Sequence, residues 1–216
     1  MSFPASSTSY TNLRQRMIDL QLRERGIRDE RVLAAMSRVP RHEFAPGPYQ
    51  DQAYEDHPLP IAEGQTISQP YIVALMLEAL SLLPTDRVLE VGTGSGYVTA
   101  LLAELAGEVV SIERHRVLAD SARAVISRMG YGDVTIVTGD GTQGYPQFAP
   151  YDAIIVSAAA AEMPKALIDQ LAEGGRMIIP VGAQDAQQLL LVRIQDGQPR
   201  ISVRELCRFV PLVSGS

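Results

Sequence analysis

The residues with the clearest chemical pattern are Val88-Leu89-Glu90-Val91-Gly92-Thr93-Gly94-Ser95-Gly96. A short apolar run ends in an acid and gives way to glycines at alternate positions. Such glycines let the backbone approach a ligand closely and take conformations that a Cβ blocks. The spacing is G-x-G-x-G, not the G-x-G-x-x-G of a dinucleotide turn that seats a pyrophosphate on a helix N-terminus. It suits a ligand without phosphate, such as S-adenosyl-L-methionine, whose amino-acid group and sulfonium Glu90 can engage by charge or through a water. Taken alone, the turn reads equally as a tight strand–helix connection. Two later acids favour the ligand. Glu113 closes the next strand, at about the 20-residue offset where an acid grips ribose hydroxyls. Asp140, in Gly139-Asp140-Gly141, follows the third strand, where a side chain can receive the adenine amino group. Each acid alone is also a solvated loop residue, and Asp140 a turn residue. Acids at the carboxyl ends of three successive parallel strands, however, share one crevice. The expected cofactor set on these grounds is Glu90, Gly92, Thr93, Gly94, Gly96, Glu113, Asp140 and Gly141.

A second pattern precedes it. Ala53-Tyr54-Glu55-Asp56-His57-Pro58-Leu59-Pro60-Ile61, followed by Gly64-Gln65-Thr66-Ile67-Ser68-Gln69-Pro70, closely resembles the signature of the protein-L-isoaspartate O-methyltransferase family. The resemblance continues through VLEVGTGSGY, SIER, GDG, YDAIIVSAAA, ALIDQL, GGRMIIPVG and the terminal RFVPL, covering nearly all of residues 12–213. Generic methyltransferases share the glycine turn but not the Gln65–Pro70 segment. Ala62, Ala161 and Val213 depart from the family's usual residues without removing a group that the chemistry needs. The resemblance implies methyl esterification of the free α-carboxylate of isoaspartyl residues in damaged peptides and proteins, a protein-repair role. S-adenosyl-L-methionine is the methyl donor. It also implies that Ser68 is the catalytic serine and that Gln65, Thr66 and Ile67 join the cofactor pocket. Leu59, Pro60, Ser68, Ala158, Ala159, Val210 and Leu212 are then the residues facing the peptide. On its own, Ser68, two residues before Pro70, is an obvious helix N-cap candidate.

The chemistry agrees with the absence of other catalytic groups. A carboxylate acceptor, with a pKa near ~3.5–4, is already ionised at neutral pH and needs no general base. Transfer then depends on alignment of oxygen, methyl and sulfur, and on exclusion of water. Ser68 is accordingly expected as a positioning donor, not a nucleophile.

The elements that must hold these residues can be read from periodicity and punctuation. Leu13, Met17 and Leu20 recur at helical spacing before Gly26, and Asp29 can cap a second helix that ends before Pro40. Six prolines between Pro40 and Pro70 predict a long functional loop. Pro70 suits the first turn of a helix reaching about Leu83. Strands are predicted at Arg87–Val91, Val109–Glu113, Val134–Thr138, Ala153–Ser157 and Met177–Pro180. Helices lie at Tyr97–Ala106, Val117–Met129 and from Pro164. Alternation of this kind gives an α/β fold with a doubly wound, mostly parallel, Rossmann-like sheet. The family resemblance makes it a class I methyltransferase fold. Gln188–Ile194 and Ile201–Val210 are expected as an antiparallel edge pair. The organisation is a tail (1–11), N-terminal helices with the substrate and cofactor loop (12–83) and the sheet core (84–216), integrated as one domain.

Composition narrows the alternatives. With 46% hydrophobic and 20% charged residues the chain can bury a sizeable core. A net charge of −6 argues against sequence-independent nucleic-acid binding. The arginines between Arg14 and Arg31 interleave with acids, as on a solvated helix face. The single Cys207 cannot form an internal disulfide, and the start lacks the basic-then-apolar order of a signal peptide, so the expected compartment is cytoplasmic. No apolar run reaches membrane-spanning length. His42, His57 and His115 lack ligand-like spacing, and no metal site is expected. The expected partners are isoaspartyl peptides and proteins, without nucleic acid or membrane, and the chain is expected to be a monomer. The rival readings are a nicotinamide dehydrogenase, a methyltransferase acting on another acceptor, and a non-catalytic binding module of the same fold.

Overall fold

Residues 7–183 and 186–215 are described by a computed structural model. Helix α1 spans Ser7–Arg16 and winds on through wider π-type turns over Met17–Arg23. Helix therefore replaces the expected tail from Ser7 onward, while residues 1–6 lie outside the described residues. The wider turns bury Met17, Ile18 and Leu22 and leave Leu20 half exposed, so Leu20 is not on the buried face that regular helical spacing predicts. Helix α2 covers Glu30–Arg38, and its N-cap is Asp29, whose carboxylate accepts from the Arg31 and Val32 amides as expected. The proline-rich segment 40–70 is ordered by three 3-10 turns, Arg41–Phe44, Gly47–Gln52 and Ala62–Gly64. It also forms a two-stranded antiparallel ribbon of β1 (Leu59–Pro60) and β2 (Thr66–Ile67), in which Leu59 faces Ile67 and Pro60 faces Thr66. Helix α3 (Pro70–Leu80) follows at once, with Pro70 in its first turn.

The central sheet comprises β3 (Arg87–Val91), β4 (Glu108–Glu113), β5 (Val134–Thr138), β6 (Tyr151–Val156), β7 (Leu171–Ala183), β8 (Ala186–Gln195) and β9 (Gln198–Cys207). They lie in the order β5-β4-β3-β6-β7-β8-β9. The pairs from β5 to β7 are parallel, and β8 and β9 add antiparallel at one edge. Helix α4 (Tyr97–Leu105) connects β3 to β4, and α5 (Arg116–Arg128) connects β4 to β5. The doubly wound, mostly parallel sheet is therefore present. The helix starting at Pro164 is only α6 (Lys165–Ile168), and β7 starts earlier than the four residues Met177–Pro180 suggest. Glycines at 174 and 175 mask its start in the sequence: Gly175 sits where an added Cβ would lie 2.7 Å from the Ala172 carbonyl. The β8–β9 hairpin turns on Asp196-Gly197, both at positive φ (54° and 69°), as a two-residue type I′ connection requires.

Alternation along β3 divides the core. Val88 packs with the N-terminal helices, α3 and α4 on one face, while Leu89 and Val91 pack with Ile154, Val156 and Leu167 on the other. The first of these clusters runs from Tyr10 through Leu33, Met76 and Leu101 to Ile178 and Leu191, so the N-terminal helices share one core with the sheet. A buried ion pair, Arg176 with Asp86 (2.5 Å), fastens β7 to the turn before β3, and Arg176 Nε also donates to the Leu80 carbonyl at the end of α3.

Candidate active site

Strand order reverses at β3: β4 and β5 lie on one side of it, β6 and β7 on the other. A crevice must open beyond the carboxyl ends of β3 and β6, where the connections diverge. A cleft of about 380 Å³ lies there, bounded by Val91 to Ser95, Tyr97, Val98, Ile112 to His115, Gly141, Ser157 and Ala158. The segment Gln65–Ser68 forms a further wall, and the terminal segment Val210–Val213 another. The size is that of a small-molecule site.

The glycine turn is built for close approach. Gly92, Gly94 and Gly96 have φ of 93°, 54° and 88°. The Gly92 amide donates to the Ile112 carbonyl (2.9 Å) and the Ser157 amide to the Val91 carbonyl (2.8 Å), which locks the turn between its neighbouring strands. Glu113 lines the cleft and holds the turn directly: Oε2 accepts from Gly94 N and Oε1 from His115 N, each at 2.9 Å. A carboxylate has about four acceptor positions, so two remain for ribose hydroxyls. These free acceptor positions, beside the glycine turn, fit a ribose-bearing ligand.

The other acids are placed differently from the sequence expectation. Glu90 is fully buried and points under α4, not into the cleft; its Oε2 accepts from Thr99 Oγ1 (2.5 Å) and Ser111 Oγ (2.6 Å). The reason is strand parity, which turns Glu90 to the same face as Val88. Burial pushes its carboxyl up to about 8, against the lowering effect of the Ser111 and Thr99 hydrogen bonds. Ser111 in turn contacts Thr93 (2.5 Å between hydroxyl oxygens), so Glu90 supports the glycine turn from behind. Asp140 caps the short turn Gly141–Gln143: Oδ1 accepts from Thr142 N and Oγ1, and Oδ2 accepts from Gly215 N at 2.8 Å. Burial raises this carboxyl, but the hydrogen bonds from Gly215 and Thr142 outweigh it and hold Asp140 below the usual aspartate value. Its neighbour Gly141 lines the cleft, whereas Asp140 and Gly96 do not. Gly96 caps α4, where an added Cβ would meet Ala122 at 3.3 Å, so this glycine serves helix packing.

Of the residues expected to face the peptide, Ser68, Ala158, Val210 and Leu212 line the cleft, together with Gln65, Thr66 and Ile67. Leu59 does not: it is fully buried in the core and cannot touch a peptide. Pro60 is exposed on the ribbon and Ala159 lies behind the wall. There the Ala159 amide donates to Val210 O (2.8 Å) and its carbonyl accepts from Leu212 N (2.7 Å), fastening the terminal segment to the end of β6. The capping role for Ser68 is overturned. The N-cap of α3 is Gln69, without a side-chain cap, and the Ser68 hydroxyl makes no hydrogen bond among the described residues. It is left available at the cleft wall.

Tyr97, Arg114 and His115 also line the cleft and were missed by sequence reasoning. The signal for Tyr97 was its place directly after the last glycine, and for Arg114 and His115 their place directly after Glu113. His115 Nδ1 lies 3.5 Å from Glu63 Oε2, so the ribbon tip and the β4–α5 turn meet across the cleft mouth. Among the described residues, no group of three or more His, Cys, Asp or Glu side chains is gathered as a metal site.

Comparison with known proteins agrees with this architecture. Residues 12–216 match the family model for protein-L-isoaspartate(D-aspartate) O-methyltransferase. The chain is 55% identical over 206 residues to the protein-L-isoaspartate O-methyltransferase of Koribacter versatilis, covering 95% of this chain and 93% of that one. It is 56% identical over 201 residues to that of Methanoculleus marisnigri, covering 93% and 91%. A Plasmodium falciparum structure described as a beta-aspartate methyltransferase (PCMT), solved in complex with S-adenosyl-L-homocysteine, superposes with a TM-score of 0.82 at 29% identity. That match covers 93% of this chain and 98% of the other. With a switch-point cleft, a glycine turn bound to Glu113 and relatives matched along nearly their whole length, this chain belongs to the protein-L-isoaspartate(D-aspartate) O-methyltransferase family.

Proposed function

We propose that Ser68 orients the acceptor, and that the Gly92–Gly96 turn, Glu113 and Gln65–Ile67 hold the methyl donor, in a chain whose activity is methyl esterification of isoaspartyl residues in peptides and proteins. The donor is S-adenosyl-L-methionine, which supplies an electrophilic methyl on a sulfonium. Glu113 receives the ribose hydroxyls, and Gly141, which packs closely against Val91, borders the adenine end. The single observation that carries the acceptor reading is the Ser68 hydroxyl, at the cleft wall and without a partner among the described residues. It donates to one oxygen of the α-carboxylate and fixes the direction of the other. Val210 and Leu212 exclude water that blunts the nucleophile, and the small side chain of Ala158 leaves space for the kinked β-linked backbone. No proton has to move. An ordinary aspartyl residue presents its carboxylate on a different backbone path, and small misalignment carries a large rate penalty.

The test is a methyl-transfer assay on matched isoaspartyl and aspartyl versions of one peptide. Base-labile methyl on the isoaspartyl form alone supports the reading, and equal labelling of both forms refutes it. The same reading places the chain in the cytoplasm as a monomer that takes isoaspartyl peptides and proteins and does not engage nucleic acid or membrane. A single cysteine and a net charge of −6 support it, and no helix among the described residues is long and apolar enough to cross a membrane.

A further inference from the structure

Arg41 is fully buried, the largest residue sealed from solvent among those described. Nε donates to the Ala53 carbonyl (2.8 Å) and Nη2 to the Ser68 carbonyl (2.9 Å). The guanidinium carbon sits 4.8 Å from the centre of the Tyr97 ring, and both Ser68 and Tyr97 line the cleft. Nη1 and the Tyr97 hydroxyl are buried and reach no third group; the two interact only with each other, short of good hydrogen-bond geometry, and Tyr97 supports the Arg41 charge. No carboxylate pairs with Arg41 among the described residues; Asp56, already paired with Arg25, supports its charge only from beyond contact distance. A buried cation without a counter-ion is costly, so proteins normally pair it. Here the cation is bonded to the backbone of the one residue at which an anion is to be received.

We propose that Arg41 is a positioning residue whose buried positive charge, delivered behind Ser68, selects the ionised α-carboxylate of the acceptor. The inference rests on the placement of that carboxylate at Ser68. The balance of charge fixes which kinetic constant it affects. As the oxygen–methyl bond forms and the sulfur–methyl bond breaks, the electron pair of the broken bond stays on sulfur, and carboxylate and sulfonium both become neutral. The acceptor therefore carries its full charge when bound and only part of it in the transition state. A fixed cation stabilises the bound acceptor more than the transition state, so its loss raises KM and leaves kcat unchanged or slightly higher. A residue that merely held the Ser68 backbone in place would lower kcat when removed.

The experiment is calorimetric titration, in the presence of S-adenosyl-L-homocysteine, of an isoaspartyl peptide and of the same peptide with a carboxamide in place of the free α-carboxylate. Wild-type protein is expected to prefer the carboxylate by about tenfold or more. Arg41→Gln is expected to lose that preference by weakening the anionic peptide alone, and Arg41→Lys to keep it. The wild-type preference should also persist in about 1 M salt, where surface charges are screened within about 3 Å. Steady-state kinetics on Arg41→Gln should show the rise confined to KM. If wild type prefers the carboxylate and Arg41→Gln still does, the inference falls and the Ser68 reading stands. If wild type shows no preference, both fall. Should Arg41→Gln fail to fold, loss of preference in Arg41→Lys or in high salt overturns the inference.

Discussion

Gly94 donates its amide proton to Glu113 Oε2 at 2.9 Å, so the middle glycine of the turn and the acid ending the neighbouring strand form one rigid rim. Glu113 also accepts from His115 N, and both donors are backbone groups that cannot turn away. In Glu113→Gln the amide oxygen can replace one of these acceptors, but the NH2 group then confronts the other N–H. Affinity for S-adenosyl-L-homocysteine is expected to fall by about 1–3 kcal/mol. Calorimetry showing wild-type affinity would remove Glu113 from the cofactor site.

Gly94 itself has φ 54°, and the nearest atom to an added Cβ is Ile61 Cδ1 at 3.7 Å. Space is available, but the left-handed backbone costs an L-residue about 1–2 kcal/mol, more for a β-branched one. Gly94→Val is expected to stay folded and bind the cofactor poorly, with Gly94→Ala between the two. The comparison to make is melting temperature with and without S-adenosyl-L-homocysteine: a full ligand-induced shift in the valine variant contradicts the placement.

Ser68→Ala separates catalysis from capping. Because Gln69 is the N-cap and the serine hydroxyl is unbonded among the described residues, the substitution should leave the melting temperature unchanged. Turnover should drop sharply at unchanged cofactor affinity. A loss of about 1 kcal/mol in stability at full turnover is the signature of a cap instead.

Glu90 gives the protein a pH dependence of defined sign. Its folded-state carboxyl titrates at about 8, above the ordinary glutamate value of 4.5. Between these values the native state holds a proton that the unfolded chain has lost, so stability declines as pH rises from about 4.5 to about 8. Glu90→Gln has no such proton to lose, and its stability should fall less over that window. Denaturant melts at several pH values on both proteins provide the check; parallel profiles would mean that Glu90 is ionised throughout.

The sequence by itself determined the alternation of strands and helices, the glycine turn and the family-specific Gln65–Pro70 segment. These are local: an apolar run, a positive-φ turn and a capping aspartate such as Asp29 depend on near neighbours. Which acid lines the cleft was decided only in three dimensions. Glu90, Glu113 and Asp140 all lie near the carboxyl ends of strands, yet strand parity sends Glu90 beneath α4, and the turn after β5 points Asp140 at Thr142 and Gly215. Leu59 and Pro60 adjoin the same motif, but with opposite sides of a ribbon to occupy, one is core and the other solvent-exposed. Arg41 carried no signal, because its meaning lies in two backbone carbonyls distant in sequence and in the absence of a counter-ion. Periodicity records which residues are apolar; where a polar atom ends up is fixed by the register and packing of elements that are far apart along the chain.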